Sequence, residues 1–184
     1  AGAGDVNGDG YADVIIGADN YDDAGGNNEG RAFVYFGSAS GINGSPVILD
    51  DTDQDNANFG VSVAGAGDVN GDGYSDVLIG AIGITDLGNP NEGLAFLHYG
   101  NASGVSATPN STLDDADKAD SYFGWSVASA GDVNGDGCSD VIVGAPRYDV
   151  AVSTDEGRVY IYHGGFTGLS TTPNTTLQGD NQAA

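Results

Sequence analysis

The chain has 184 residues, 39% of them hydrophobic, with 32 glycines, one cysteine, no methionine and a formal net charge of −23. So acidic a chain, with only Arg31, Lys118, Arg147 and Arg158 as bases, repels nucleic acid and anionic membrane surfaces. Its hydrophobic content argues against a disordered acidic chain, its single cysteine leaves no intrachain disulfide, and neither a signal peptide nor an apolar run of membrane-spanning length is present.

No segment sustains an apolar period of 3.6 residues. Val, Ile, Tyr and Phe fall in short runs between clusters of Gly, Asn, Asp and Ser, which predicts an all-β fold. The chain opens on Ala1-Gly-Ala-Gly4 and a polar loop from Asp5 to Asp13. An apolar run (Val14 to Ile16), Gly17-Ala18 and a variable polar segment (Asp19 to Asn28) lead to Glu29-Gly30. A second run from Arg31 to Phe36 is closed by Gly37, and a more polar run follows around Val47-Ile-Leu49. The acidic link Asp50 to Asp55 and then Phe59-Gly-Val-Ser-Val63 lead into the next polar loop.

The same order then returns twice. Its apolar runs are Val77 to Ile79 and Leu94 to Tyr99, then Val141 to Val143 and Arg158 to His163. Glu92-Gly93 and Glu156-Gly157 precede the second runs, the outer polar runs lie at Thr112-Leu113 and Thr176-Leu177, and Phe123-Gly124 opens the last copy. Asp5, Asp68 and Asp132 stand 63 and 64 residues apart, so the chain divides into repeats 1–63, 64–127 and 128–184 of one array. Each repeat has four predicted strands, too few to bury their own faces, which is the pattern of β-propeller blades. The first blade lacks its first strand except for Ala1 to Gly4, which matches Ala64 to Gly67. Propellers close with four or more blades, so three form a partial propeller or half of a ring. Two copies would close a six-bladed homodimer.

The polar loops carry the chemistry. Oxygen-bearing side chains stand at loop positions 1, 3, 5 and 9, with Gly at 6 and a backbone carbonyl on offer at 7. The first loop supplies Asp5, Asn7, Asp9, the Tyr11 carbonyl and Asp13. The second supplies Asp68, Asn70, Asp72, the Tyr74 carbonyl and Asp76, and the third Asp132, Asn134, Asp136, the Cys138 carbonyl and Asp140. Hard cations take six to eight oxygens in a flexible geometry, which favours calcium over magnesium. The expectation is three structural Ca2+ sites, each holding a hairpin between two strands, with the position-7 side chain free to vary. An EF-hand needs a Glu at position 12 and helical flanks, whereas Ile16, Ile79 and Val143 stand there inside apolar runs and the flanks read as strands.

No catalytic constellation is legible, and no enzyme is expected. His98 and His163 fall one register step apart on equivalent strands and so point to opposite faces. The acidic links Asp50 to Asp55 and Asp114 to Asp117 read as solvated connectors. The segments that differ between copies, Asp19 to Asn28, Gly83 to Asn91 and Arg147 to Asp155, carry Tyr21, Arg147 and Tyr148, side chains suited to contacting a protein or a sugar.

Phe-Gly before the loop and Gly144-Ala145-Pro146 after it resemble the FG-GAP repeat, the calcium-binding blade of integrin α-subunit propellers and of many extracellular proteins. Asp19 and Ile82 replace the proline in the other copies. The resemblance implies a calcium-stabilised, extracellular or cell-surface propeller module for protein binding, adhesion or assembly. A lectin-like, carbohydrate-binding propeller and a non-catalytic segment of a larger secreted enzyme are the alternatives.

Overall fold

The computed structural model describes residues 1–22, 26–50, 53–115, 118–149 and 156–178. The first antiparallel sheet takes β1 (Gly2–Gly4), β2 (Asp13–Ala18), β3 (Arg31–Phe36) and β4 (Asn43–Leu49) in that order. The second takes β5 (Phe59–Gly67), β6 (Asp76–Ala81) and β7 (Leu94–His98), then, after the small hairpin of β8 (Gly100–Asn101) and β9 (Gly104–Val105), β10 (Ser111–Leu113). The third takes β11 (Ser126–Gly131), β12 (Asp140–Ala145), β13 (Arg158–Tyr162) and β14 (Thr175–Gln178). No helix occurs among the described residues. The four-stranded blades expected from the repeat are therefore present, with the polar runs as outer edges. The remnant Gly2–Gly4 serves as the first blade's inner strand, and the Ala1 ammonium extends it by donating to the Ile15 carbonyl at 2.8 Å.

Strand alternation sorts each blade's apolar residues onto two faces. From the first blade, Ile15, Ala32, Val34 and Leu49 turn toward the second, which answers with Val77, Ile79, Ala81, Ile84 and Phe96, all buried in one core. The residues between them, Leu78, Ala95, Leu97 and Leu113, turn the other way and meet Val141, Val143, Ala145, Tyr160 and Tyr162. Each Val, Leu, Ile or Phe among them contributes roughly 1.5–3 kcal/mol on full burial. Every residue of β6 is buried, which is why its run is continuously apolar. The outer blades keep one face each in solvent, where Ile16 is 48% and Leu177 54% exposed. The three sheets do not close into a ring.

Phe59 and Phe123, the aromatics ahead of the second and third loops, lie in these two cores, each with its ring centroid 5.4 Å from a neighbour, Phe96 and Tyr160 respectively. The reading of the acidic links as solvated needs one correction. Asp115 is only 3% exposed, and burial pushes its carboxyl up to about 6 against the hydrogen bonds that Ser121 and the Lys118 N–H offer it. Residues 51, 52, 116 and 117 of those links lie outside the described residues.

Candidate functional site

Each polar loop closes the hairpin between a blade's first two strands. In the middle loop, Asp68 Oδ1 accepts the N–H groups of Gly71 (2.7 Å) and Asp72 (3.1 Å), and Oδ2 accepts that of Gly73 (2.8 Å). Asn70 Oδ1 accepts the Asp72 N–H at 3.0 Å, while its amide nitrogen donates to Asp72 Oδ2 at 2.9 Å. Asp72 Oδ1 accepts the Tyr74 N–H at 3.0 Å. The first loop repeats every one of these bonds through Asp5, Asn7 and Asp9. The third repeats them through Asp132, Asn134 and Asp136. So tight a path needs left-handed backbone at two points. Gly71 (φ +73°) and Gly73 (φ +94°) supply it, in a region where a Cβ is strained. The glycine at position 4 (Gly8, Gly71, Gly135) is as constant as the one at 6 and is a further mark of this loop in the sequence.

Position 9 does something different from the rest. Asp13, Asp76 and Asp140 are buried. In each, Oδ2 accepts a loop N–H, from Val6, Val69 or Val133, at 2.8 Å. Oδ1 accepts the N–H of the glycine that closes the third strand: Gly37 (2.8 Å), Gly100 (2.9 Å) or Gly164 (2.9 Å). The carboxylate thus ties the loop to a point 24 residues on, and each oxygen keeps a further lone pair for a cation. Burial, with smaller repulsion from Asp72 and Asp68, pushes the Asp76 carboxyl up to about 7 despite those two N–H groups. At the exposed Asp136 the balance is reversed: the Cys138 N–H and the Asn134 amide hold its carboxyl below the usual range.

The loops also stitch neighbouring blades together. The carbonyls of Asp5 and Val6 accept the N–H groups of Ser75 and Asn101 in the next blade, both at 3.0 Å. Those of Asp68 and Val69 accept from Ser139 (2.8 Å) and Gly165 (2.9 Å). The position-7 side chain differs between copies, as the sequence suggests, and Tyr74 and Cys138 each pack on the position-4 glycine of the preceding blade's loop. A Cβ on Gly8 would stand 2.7 Å from the Tyr74 ring, and one on Gly71 would stand 2.6 Å from Phe166 and 3.2 Å from the Cys138 sulfur. Gly8 and Gly71 make room for the next blade, whereas a Cβ on Gly135 would meet nothing within 4 Å. Burial and the carboxylates of Asp136, Asp68, Asp132 and Asp140 push the Cys138 thiol up, which suits an inert packing role.

The side chains at positions 3 and 5 touch, while those at 1 and 9 are turned onto backbone N–H groups. Among the described residues, no three Asp, Glu, His or Cys side chains stand gathered as a metal cage. The donor chemistry nevertheless fits a hard cation: three carboxylates, an amide oxygen and a carbonyl within nine residues. His98 is buried with Nδ1 2.9 Å from the Ser106 carbonyl oxygen, and His163 lies one residue past the equivalent position, opposite no shared site. The variable segments spend part of their recognition chemistry internally. Arg31 sits 4.5 Å over the Tyr21 ring, Arg147 5.0 Å over Tyr122 and Arg158 3.8 Å over Tyr148. Residues 23–25 and 150–155 of those segments lie outside the described residues.

Residues 1–35 and 123–162 match the family described as FG-GAP repeat. The chain is 31% identical over 153 residues to integrin alpha-6 of Gallus gallus, an alignment covering 80% of this chain and 13% of that protein. It is 33% identical over 161 residues to integrin alpha-V of Gallus gallus (80% and 14%). Against integrin alpha-5 of Xenopus laevis it is 32% identical over 179 residues (94% and 16%). The chain therefore spans less than a fifth of the length of each of these relatives.

Proposed function

We propose, given that the chain belongs to the FG-GAP repeat family, that it is a calcium-clipped run of propeller blades serving protein binding and adhesion. One observation carries the metal reading: the same loop, with the same oxygen donors and the same internal hydrogen bonds, recurs in all three blades. Asp5, Asn7, Asp9, Asp13 and the Tyr11 carbonyl would hold the first ion, and their equivalents in the other loops the second and third. Bound there, calcium would supply positive charge where three carboxylates share nine residues. The chain's own atoms do the rest. Asp13, Asp76 and Asp140 anchor each loop to its third strand, and the Asp5 and Asp68 carbonyls hold the following blade.

The likeness to integrin alpha chains supports an extracellular or cell-surface setting and a binding role in place of an enzymatic one. Thermal unfolding tests the metal half of the reading. Calcium at about ten times its dissociation constant should stabilise by roughly 1.4 kcal/mol per site, with magnesium weaker. A melting temperature unmoved by calcium and by chelator would refute it.

A second reading, sugar binding between blades, also has an observation in its favour. A cavity of about 310 Å³ lies between the second and third blades, lined by Asp114, Asp115, Tyr148, Arg158 and Tyr160 among others. At the first interface Ile84 and Phe96 occupy the positions of Tyr148 and Tyr160 and pack in an apolar core. A glycan array separates the two readings.

A further inference from the structure

The seam between the second and third blades is lined differently from the seam before it. At the first seam Ile84, Leu94 and Phe96 pack in or against an apolar core. The residues 64 positions on, at the second seam, are Tyr148, Arg158 and Tyr160. With Asp114 and Asp115 they line the cavity of about 310 Å³. That is the liquid volume of about ten waters and the lower end of small-ligand sites, about 300–1,000 Å³. Both walls belong to blades of this chain.

Three polar atoms of this lining are buried without a hydrogen-bond partner: Asp115 Oδ2, Arg158 Nε and the Tyr160 hydroxyl. Asp115 and Tyr160 are each 3% exposed. Asp115 Oδ1 accepts the Lys118 N–H at 3.4 Å, and a terminal nitrogen of Arg158 donates to Gln178 Oε1 at 2.8 Å. Burial and the Asp115 carboxylate push the Tyr160 hydroxyl far above its usual range, so it stays an O–H donor. Unpartnered buried polar atoms cost stability, and the apolar residues of the first seam show that the repeat does not impose them. Charge gathers at this seam too. Two of the chain's four bases, Arg158 and Lys118, sit 3.8 Å and 5.8 Å from the Tyr148 ring centre. Together with Asp114 and Asp115 they make the seam charge-balanced in a chain of net charge −23.

We propose, resting on the reading of sugar binding between blades, that this cavity takes one neutral sugar residue through a pair of adjacent hydroxyls. A hydroxyl donates and accepts at once. One donates to Asp115 Oδ2, its neighbour accepts from Arg158 Nε, and Tyr160 bonds to either. A sugar carboxylate has no proton for Asp115 and is repelled by it. A sugar ammonium has no lone pair for Arg158 and is repelled in turn. The Tyr148 and Tyr160 rings, edge to face with centroids 6.4 Å apart, supply apolar surface for the C–H face of the sugar. The first seam, filled by Ile84 and Phe96, takes none.

The chain, in calcium, is titrated by proton–nitrogen correlation NMR with the methyl glycosides of glucose, galactose and mannose, and with the uronic acid and amine counterparts of each. At least one neutral glycoside should bind saturably, with shifts centred on Asp115, Tyr148, Arg158 and Tyr160. Its charged counterparts should bind at least about tenfold more weakly. Tyr160→Phe and Arg158→Leu each install the residue of the first seam. Tyr160→Phe should weaken binding about fivefold or more without lowering the melting temperature of the sugar-free chain, and Arg158→Leu should abolish binding. If a variant does not fold, the glycoside series on the unaltered chain decides. A charged counterpart that binds as well or better, shifts centred elsewhere, or unchanged binding by Tyr160→Phe would overturn the proposal and leave sugar binding itself standing. Binding of no glycoside would overturn it as well, and the glycan array then decides whether the sugar reading falls with it.

Discussion

Asp76 holds two backbone N–H groups in a buried site, and burial nevertheless pushes its carboxyl up to about 7, well above the ordinary carboxylate range. The folded chain therefore binds that proton more tightly than the unfolded chain. The stability this contributes is full below about pH 4 and is lost as pH rises through about 7. Asp115, raised to about 6 by burial, acts with the same sign. Without metal, the melting temperature should fall between pH 5 and pH 8, and Asp115→Asn should flatten part of that slope. A calcium ion held by the loop would favour the ionised form at Asp76, so the gap between calcium and chelator curves should widen over the same range. Thermal unfolding at fixed ionic strength measures both. Position 9 also separates from position 5 by substitution. Asp140→Asn leaves one acceptor oxygen for two N–H groups, one buried and one part-buried, and should cost about 1–3 kcal/mol with or without calcium. Asp136→Asn, at the exposed loop surface, should cost little in chelator and remove most of the third site's calcium response. Denaturant unfolding of the two variants, each in both conditions, is the comparison.

Strands and loops were legible because their signals are local. The apolar runs, the loop spacing and the closing glycines repeat within each copy, and the sheets formed where those marks stood. What escaped were bonds to distant backbone atoms, which leave no mark on the partner's residue type. The Ser75 N–H reaching the Asp5 carbonyl and the Gly100 N–H reaching Asp76 are of this kind. So is Tyr74, which reads as a tolerated side chain until its ring is found on Gly8 of the neighbouring loop. The burial of Asp115 is not legible because a run of aspartates looks solvated, whereas only the fold brings it against Tyr148, Arg158 and Tyr160 of the third blade. Phe-Gly reads as a mark of the repeat, but the place that Phe123-Gly124 takes against Gly80 and Glu92-Gly93 is assembled from separate stretches of the preceding blade. That contact gives a test at the level of the interface. Gly80→Ala drives a Cβ to 2.0 Å from a backbone oxygen of the next blade and should cost about 1–3 kcal/mol. Gly2→Ala, with nothing within 4 Å, should stay within about 0.5 kcal/mol. Urea unfolding of the pair gives the difference.

Across the whole molecule, three blades share two cores and carry a net charge of −23. The middle blade is covered on both sides, while the outer two each keep one apolar face in solvent, so stability rests on neighbour contacts as in other repeat arrays. The loops stand at the seams of that array. They close a hairpin, reach the third strand through position 9, and bond to the next blade through two carbonyls. A cation there would stiffen the joint between blades as well as the turn that holds it. The most direct measurement is the calcium stoichiometry of the chain by equilibrium dialysis, for the unaltered protein and for Asp9→Asn, Asp72→Asn and Asp136→Asn singly. Three ions per chain, with about one fewer in each variant, is the expected result. A chain that retains no calcium, or variants that retain as much as the unaltered protein, would contradict the assignment of the loops as metal sites.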